Sequence, residues 1–266
     1  MRNKLWLLIA LCCALAAFVA CGGGDKGGET GGTAASTEAP ATAPAAPAAD
    51  AANAGGVSGT IAYTGADDDT EIKMNADPVC VKANTTPQFQ ETYAVEDGKL
   101  ANVFVYVKDG LGSYSFDTPT ETAKIDQMSC RYHPHVFGVR VGQPIEILNS
   151  DDTLHNIHAL PKANSEFNNG QPIKGMKMNH TFTAKEVMVP FKCDVHGWMN
   201  AYVGVLDHPY FATTGKDGSF DLKGLPPGTY TIEAWHEKLG TMTQSVTLGA
   251  KESKDVNFAF KAAAGA

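Results

Sequence analysis

The stretch CDVHGWM, residues 193 to 199, places a thiol, an imidazole and a thioether within seven positions. Spacing that short confines Cys193, His196 and Met199 to one tight loop, so a further donor has to come from a neighbouring segment that the fold holds in place beforehand. The nearest upstream supplier is PIEILNSDDTLHNIHAL, residues 144 to 160, a strand that runs into a polar loop and delivers His155 and His158. Along extended backbone these two cannot share a face. His155 is the expected donor, with His158 as the less favoured substitute.

The same alternation recurs outward along the chain. VSGTIAYTG, NVFVYVKDG, HVFGVRVG, AYVGVLD, GSFDLKGLPPGTYTIEAW and QSVTLGA carry β-branched and aromatic residues in short runs bounded by Gly, Pro, Asn and Asp. No stretch sustains a 3.6-residue apolar period over several turns. The expected class is all-β, built as sandwiches.

Two imidazoles, a thiolate and a thioether make the trigonal His2Cys set with a weak axial Met that suits copper in electron-transfer sites. The thiolate gives covalency, and the weak thioether lets one geometry serve both oxidation states. These residues resemble the cupredoxins. The C-x2-H-x2-M spacing is that of the amicyanin loop, and the HN pair at His155 and Asn156 is similar to the first-histidine segment of plastocyanins and amicyanins. The resemblance implies a Greek-key β-sandwich with one type 1 copper held by His155, Cys193, His196 and Met199. It also implies that Asn156 ties the two ligand loops together by hydrogen bonds. In that family the histidine of the Cys-to-Met loop presents its ring edge to solvent, so Gly197 and Trp198 are expected to flank a docking surface. The partners implied are a redox donor and acceptor, of the c-type cytochrome or membrane-complex kind. The alternative for Trp198 is burial against a second sandwich.

A zinc site from Cys193, His196 and His155 is a rival, but a methionine in the fourth place favours copper. An alternative function is copper storage or delivery, for which MKMNH at 176 to 180 is the only hint. A copper enzyme would need a second cluster, to which only the YHPH segment could contribute, so the reading is a carrier and not an enzyme. His133 and His135 are expected as a hydrogen-bonded or surface pair, and His180, His208 and His236 receive no role.

Residues 214 to 240, TGKDGSFDLKGLPPGTYTIEAWHEKLG, carry a second resemblance, to the carboxypeptidase regulatory-like or transthyretin-like β-sandwich. VSGTIAYTG and LANVFVYVKDG resemble the first two strands of that module. Together they imply a second sandwich, split by the inserted cupredoxin, with no chemistry of its own.

The chain opens MRNKLWLLIALCCALAAFVAC, in which Arg2 and Lys4 precede sixteen apolar residues, too few for a comfortable span and suited to an export signal. FVAC resembles a bacterial lipobox and makes Cys21 the expected lipidation site. Cleavage by the ordinary signal peptidase and a membrane-anchoring helix are the alternatives. Residues 22 to 56 carry no large apolar side chain, the first being Val57, so they read as a disordered tether with a reach of about 30 Å. The expected location is the envelope of a Gram-negative-type bacterium, facing the periplasm. Loss of Arg2 and Lys4 with the signal takes the formal charge from −8 to −10, which disfavours nucleic acid as a partner.

Of six cysteines, Cys12 and Cys13 fall in the signal and Cys21 at the lipid site, leaving Cys80, Cys130 and Cys193. In an oxidising compartment two of three tend to pair. With Cys193 among the candidate ligands, Cys80 and Cys130 are the expected disulfide, the alternative being two free buried thiols. The expected organisation is a signal at 1–20, a lipidated tether at 21–56, a β segment at 57–127, the cupredoxin at 128–207 and the regulatory-like sandwich at 208–262.

Overall fold

The computed structural model describes residues 51–68 and 70–262. The expected export signal, Cys21 and the tether up to residue 50 lie outside the described residues. The N-terminal part holds a 3-10 turn (Ala51–Asn53), then β1 (Gly55–Thr64), helix α1 (Pro78–Ala83), β2 (Val95–Glu96), β3 (Lys99–Leu100) and β4 (Phe104–Asp109). A run of nine strands follows: β5 (Ala123–Met128), β6 (Arg131–His133), β7 (Val136–Arg140), β8 (Pro144–Asn149), β9 (His155–Ala159), β10 (Phe167–Gln171), β11 (Lys177–Thr181), β12 (Glu186–Lys192) and β13 (Asn200–Leu206). The C-terminal part adds β14 (Phe211–Thr213), β15 (Ser219–Leu225), β16 (Gly228–His236), β17 (Gly240–Leu248), β18 (Ser253–Asp255) and β19 (Phe258–Lys261). The described chain is nearly all β, with a single six-residue α-helix.

Strand pairing sorts these elements into two sandwiches. In the outer one, β1 lies antiparallel to β15 and parallel to β18 and β19, while β4 is flanked by β14 and β16, so each sheet mixes strands from both ends of the chain. Between these ends, β10-β9-β12-β13-β7 and β11-β8-β5-β6 form the two sheets of an inserted sandwich. Its non-sequential order is the Greek-key arrangement. The inserted sandwich begins with β5 at Ala123, five residues before the boundary expected at 128.

β1 also starts earlier than the sequence indicates, at Gly55 inside the expected tether. The backbone there approaches its neighbour too closely for a side chain: a Cβ at Gly55 would sit 1.8 Å from the Glu252 carbonyl oxygen. Glycine supplies that approach but carries none of the apolar pattern by which a strand is recognised.

Each sandwich has its own core. Ile125, Tyr132, Ile147, Ile157, Phe182 and Phe191 fill the inserted one, and Val57, Ile61, Val105, Leu222, Tyr230 and Phe258 the outer one. A third cluster around Phe104, Tyr106, Val136, Met188 and Leu206 forms the seam between them. Phe104 seats there against a glycine pair: Gly138 of β7 and Gly204 of β13 are register partners, and a Cβ on either would come within 2.8 Å of the Phe104 ring. Only glycines leave room for a fully buried aromatic at that spot.

Candidate metal centre

β12 ends at Lys192, and the chain turns through residues 193 to 199 before β13 begins. Cys193 N–H donates to the Met199 carbonyl at 3.1 Å, and Met199 N–H donates to the His196 carbonyl at 2.9 Å, closing the loop tightly. His196 N–H points at Cys193 Sγ, 3.4 Å away. Cys193 is the one free cysteine among the described residues, and both it and Met199 are buried.

His155 opens β9, which pairs with β12 and so lies beside the loop. Its Nδ1 is 3.0 Å from His196 Nδ1, and His196 Nδ1 is 3.9 Å from Cys193 Sγ. The structure therefore brings His155, Cys193 and His196 into one buried cluster whose donor atoms lie within 4.8 Å of one another. Asn156 joins the two segments: its Oδ1 accepts the Asp194 N–H at 2.6 Å and lies 3.3 Å from Cys193 Sγ. His158 points away, to Asp194 and Glu166 on the surface.

The outward nitrogens of the two imidazoles are both engaged by acids. His155 Nε2 donates to Asp151 at 2.9 Å, and His196 Nε2 donates to Asp77 at 3.1 Å. With the hydrogen on Nε2 in each ring, the neutral tautomers face each other with bare Nδ1 lone pairs at 3.0 Å. Two lone pairs that close repel unless a cation lies between them. A proton on His155 is one such cation, and a metal ion is the other. Burial pulls the His155 imidazole down, but Asp151 and Cys193 outweigh it and raise the group to about 9. Burial likewise pushes the Cys193 thiol up, yet His155 and nearby backbone N–H groups bring it below its ordinary value. His196 is shifted down, chiefly by burial and against the pull of Asp77.

The solvent-exposed ring edge expected at His196 is absent. The residue is 3 % exposed, because the segment carrying α1 lies across it, with Asp77 and Cys80 both against Nε2. Asp77 is the N-cap of α1 and precedes Pro78, a helix-start signature in six residues that are too few to show a period. A disulfide between Cys80 and Cys130 clamps this segment to the β5–β6 turn, and Asn84 Nδ2 adds a bond to the Ser129 carbonyl at 3.0 Å. Cys130 and Ser129 both take positive φ, as a two-residue hairpin turn requires, and their N–H groups converge on Asp151. Trp198 is half-buried beside His196, and its Nε1 donates to the Cys130 carbonyl at 2.9 Å. Gly197 is exposed, with open space where a Cβ would be. Asp77, Asp151 and the covering helix are the features that sequence reasoning missed.

A family model for the carboxypeptidase regulatory-like domain matches residues 199–261. No curated protein matches the chain. The solved structures similar to it include cupredoxins. A purple cupredoxin from Nitrosopumilus maritimus is 22% identical over 31% of this chain and 98% of its own, with a TM-score of 0.27. A reduced amicyanin variant is 22% identical over 34% of this chain and 86% of its own, with a TM-score of 0.29. A copper-containing nitrite reductase from Thermus scotoductus SA-01 is 17% identical over 37% of this chain, with a TM-score of 0.32, and the chain spans 25% of that enzyme.

Proposed function

We propose that His155, Cys193, His196 and Met199 hold one copper ion and that the protein carries single electrons between redox partners in the bacterial envelope, tethered through a lipid on Cys21. The observation that carries this reading is the pair of inward Nδ1 atoms, 3.0 Å apart and joined by the buried thiol of Cys193. That is a soft, preorganised donor set with a gap for a cation, and a buried methionine in the same loop supplies the weak fourth donor that distinguishes a copper site from a zinc one.

Copper bound there supplies a one-electron couple. The protein's own part is rigidity: both imidazoles are pinned through Nε2, and Asn156 fixes the Cys193 end of the loop. Ligands held this way do not have to move when the charge changes, which keeps exchange fast. In the YHPH segment His135 bonds to Glu237 and to the Asn200 carbonyl.

The test is the visible spectrum of the Cu(II)-loaded mature protein. An intense thiolate-to-copper band that disappears in Cys193→Ser is expected. A colourless copper complex, or a band that survives Cys193→Ser, rejects the reading.

A further inference from the structure

The two acids behind the imidazoles are built in. Asp151 is buried and accepts Ser129 N–H at 2.8 Å and Cys130 N–H at 2.7 Å in addition to His155 Nε2. Asp77 accepts the Val79 N–H at 2.7 Å through one oxygen and the Thr153 hydroxyl at 2.6 Å through the other, the same oxygen that faces His196. Neither acid belongs to a separate metal site. The clusters Asp77–Cys80–His196 and Cys130–Asp151–His155 contain sulfurs that are bonded to each other and offer no thiolate.

Resting on the copper reading, we propose that Asp151 and Asp77 are positioning residues that keep both Nδ1 atoms turned inward and lower the reduction potential of the bound ion. A carboxylate accepting from one nitrogen of an imidazole fixes the tautomer and makes the other nitrogen a stronger donor. Two negative charges, each one ring away from the ion, also favour its more highly charged state, and they do so strongly where water is excluded. The two contributions differ in origin. Asp151 lies in the loop that leads into β9, whereas Asp77 comes from the segment between β1 and β2, outside the inserted sandwich. The N-terminal segment therefore completes the centre as well as covering it. The Cys80–Cys130 bond and the Asn84 contacts hold it in register with His196.

The experiment is a mediator titration of the copper-loaded mature protein, followed through its visible band, for the parent, Asp151→Asn and Asp77→Asn. Each substitution is expected to retain the band and to raise the equilibrium constant for reduction about tenfold, which is about 59 mV for a one-electron couple. Because Asp77 is partly exposed and lies outside the inserted sandwich, Asp77→Asn carries the test alone if Asp151→Asn fails to fold. A purely structural role would lower the thermal midpoint and leave the potential in place. An unchanged potential in Asp77→Asn with the band retained overturns this inference and leaves the copper reading standing. A parent protein without the band overturns both.

Discussion

Glu237 and His135 form a hydrogen bond across the seam between the two sandwiches, His135 Nε2 donating to Glu237 Oε1 at 2.6 Å. Tyr202 adds its hydroxyl to the other carboxylate oxygen at 3.0 Å, and the side chains of Glu237 and His135 are both 6 % exposed. Removing the acid alone leaves one buried donor, His135, and one half-buried donor, Tyr202, without their acceptor. Glu237→Ala is therefore expected to cost about 2–4 kcal/mol, read from urea unfolding at neutral pH. A loss below about 0.5 kcal/mol would show that water replaces the carboxylate there.

The glycine socket makes a second prediction at the same seam. Gly204→Ala pushes a methyl group to 2.5 Å from Phe104 Cζ, and the ring is wholly buried, so it has nowhere to retreat. A loss of about 1–3 kcal/mol is expected. Phe104→Leu in the same background should recover part of it, which a double-mutant cycle measures.

Met199→Leu tests the fourth donor of the proposed centre. The change nearly conserves volume in a buried loop, so the fold should hold to within about 1.5 kcal/mol. The visible band should persist, since Cys193 supplies it, while the potential rises because a donor that favours the oxidised ion is lost. A potential that falls or stays in place would remove Met199 from the ligand set.

The disulfide joins cysteines 50 residues apart. Replacing both by Ser releases that loop in the unfolded chain and is expected to cost about 4 kcal/mol on the loop-entropy estimate. It also unclamps α1 from His196. Hydrogen exchange of the α1 amides should rise by more than the global loss of stability accounts for. Equal protection of α1 and β13 would show that the clamp is not what holds the helix down.

Two buried histidines outside the centre set a pH dependence. His236 Nδ1 accepts the N–H groups of Lys238 and Leu239, and His208 Nδ1 accepts that of Tyr210, while burial pushes each group down to about 4. The unfolded chain protonates both near 6.5, so it gains protons that the folded state refuses as the pH falls. Their contribution is intact above about 6.5 and declines toward 4, with a loss on the order of 2 kcal/mol per histidine by pH 5. His236→Gln should flatten the slope of the urea midpoint between pH 7 and pH 5.

What the sequence made legible was local. Cys193, His196 and Met199 share one loop, and His155 follows a strand whose alternation places it, so the cluster could be assembled from short stretches. GLPPGTY likewise marked a turn by its own chemistry. What escaped was carried by distant pairs. Asp77 lies 119 residues from His196, on a helix of one and a half turns, and no periodic pattern announces either the helix or its target. For the same reason the expected exposure of His196 failed: the covering segment belongs to another part of the chain. The Phe104 socket is equally silent, because Gly138 and Gly204 read as ordinary strand weakeners until the ring that needs them is in view.

The split of the outer sandwich also dictates an order of assembly. Thr60 in β1 has to wait for Ser219 in β15, and everything between them must emerge first, whereas all nine strands of the inserted sandwich are present once Leu206 is made. Loop closure over so long a separation is slow unless something shortens it. The pairing of β7 with β13 inside the inserted sandwich shortens it, because it brings β4 near the place that β14 occupies. A chain that ended after β13 would lack Phe211, the ring that packs against Phe104 at the seam, and so would leave that aromatic covered on one side only.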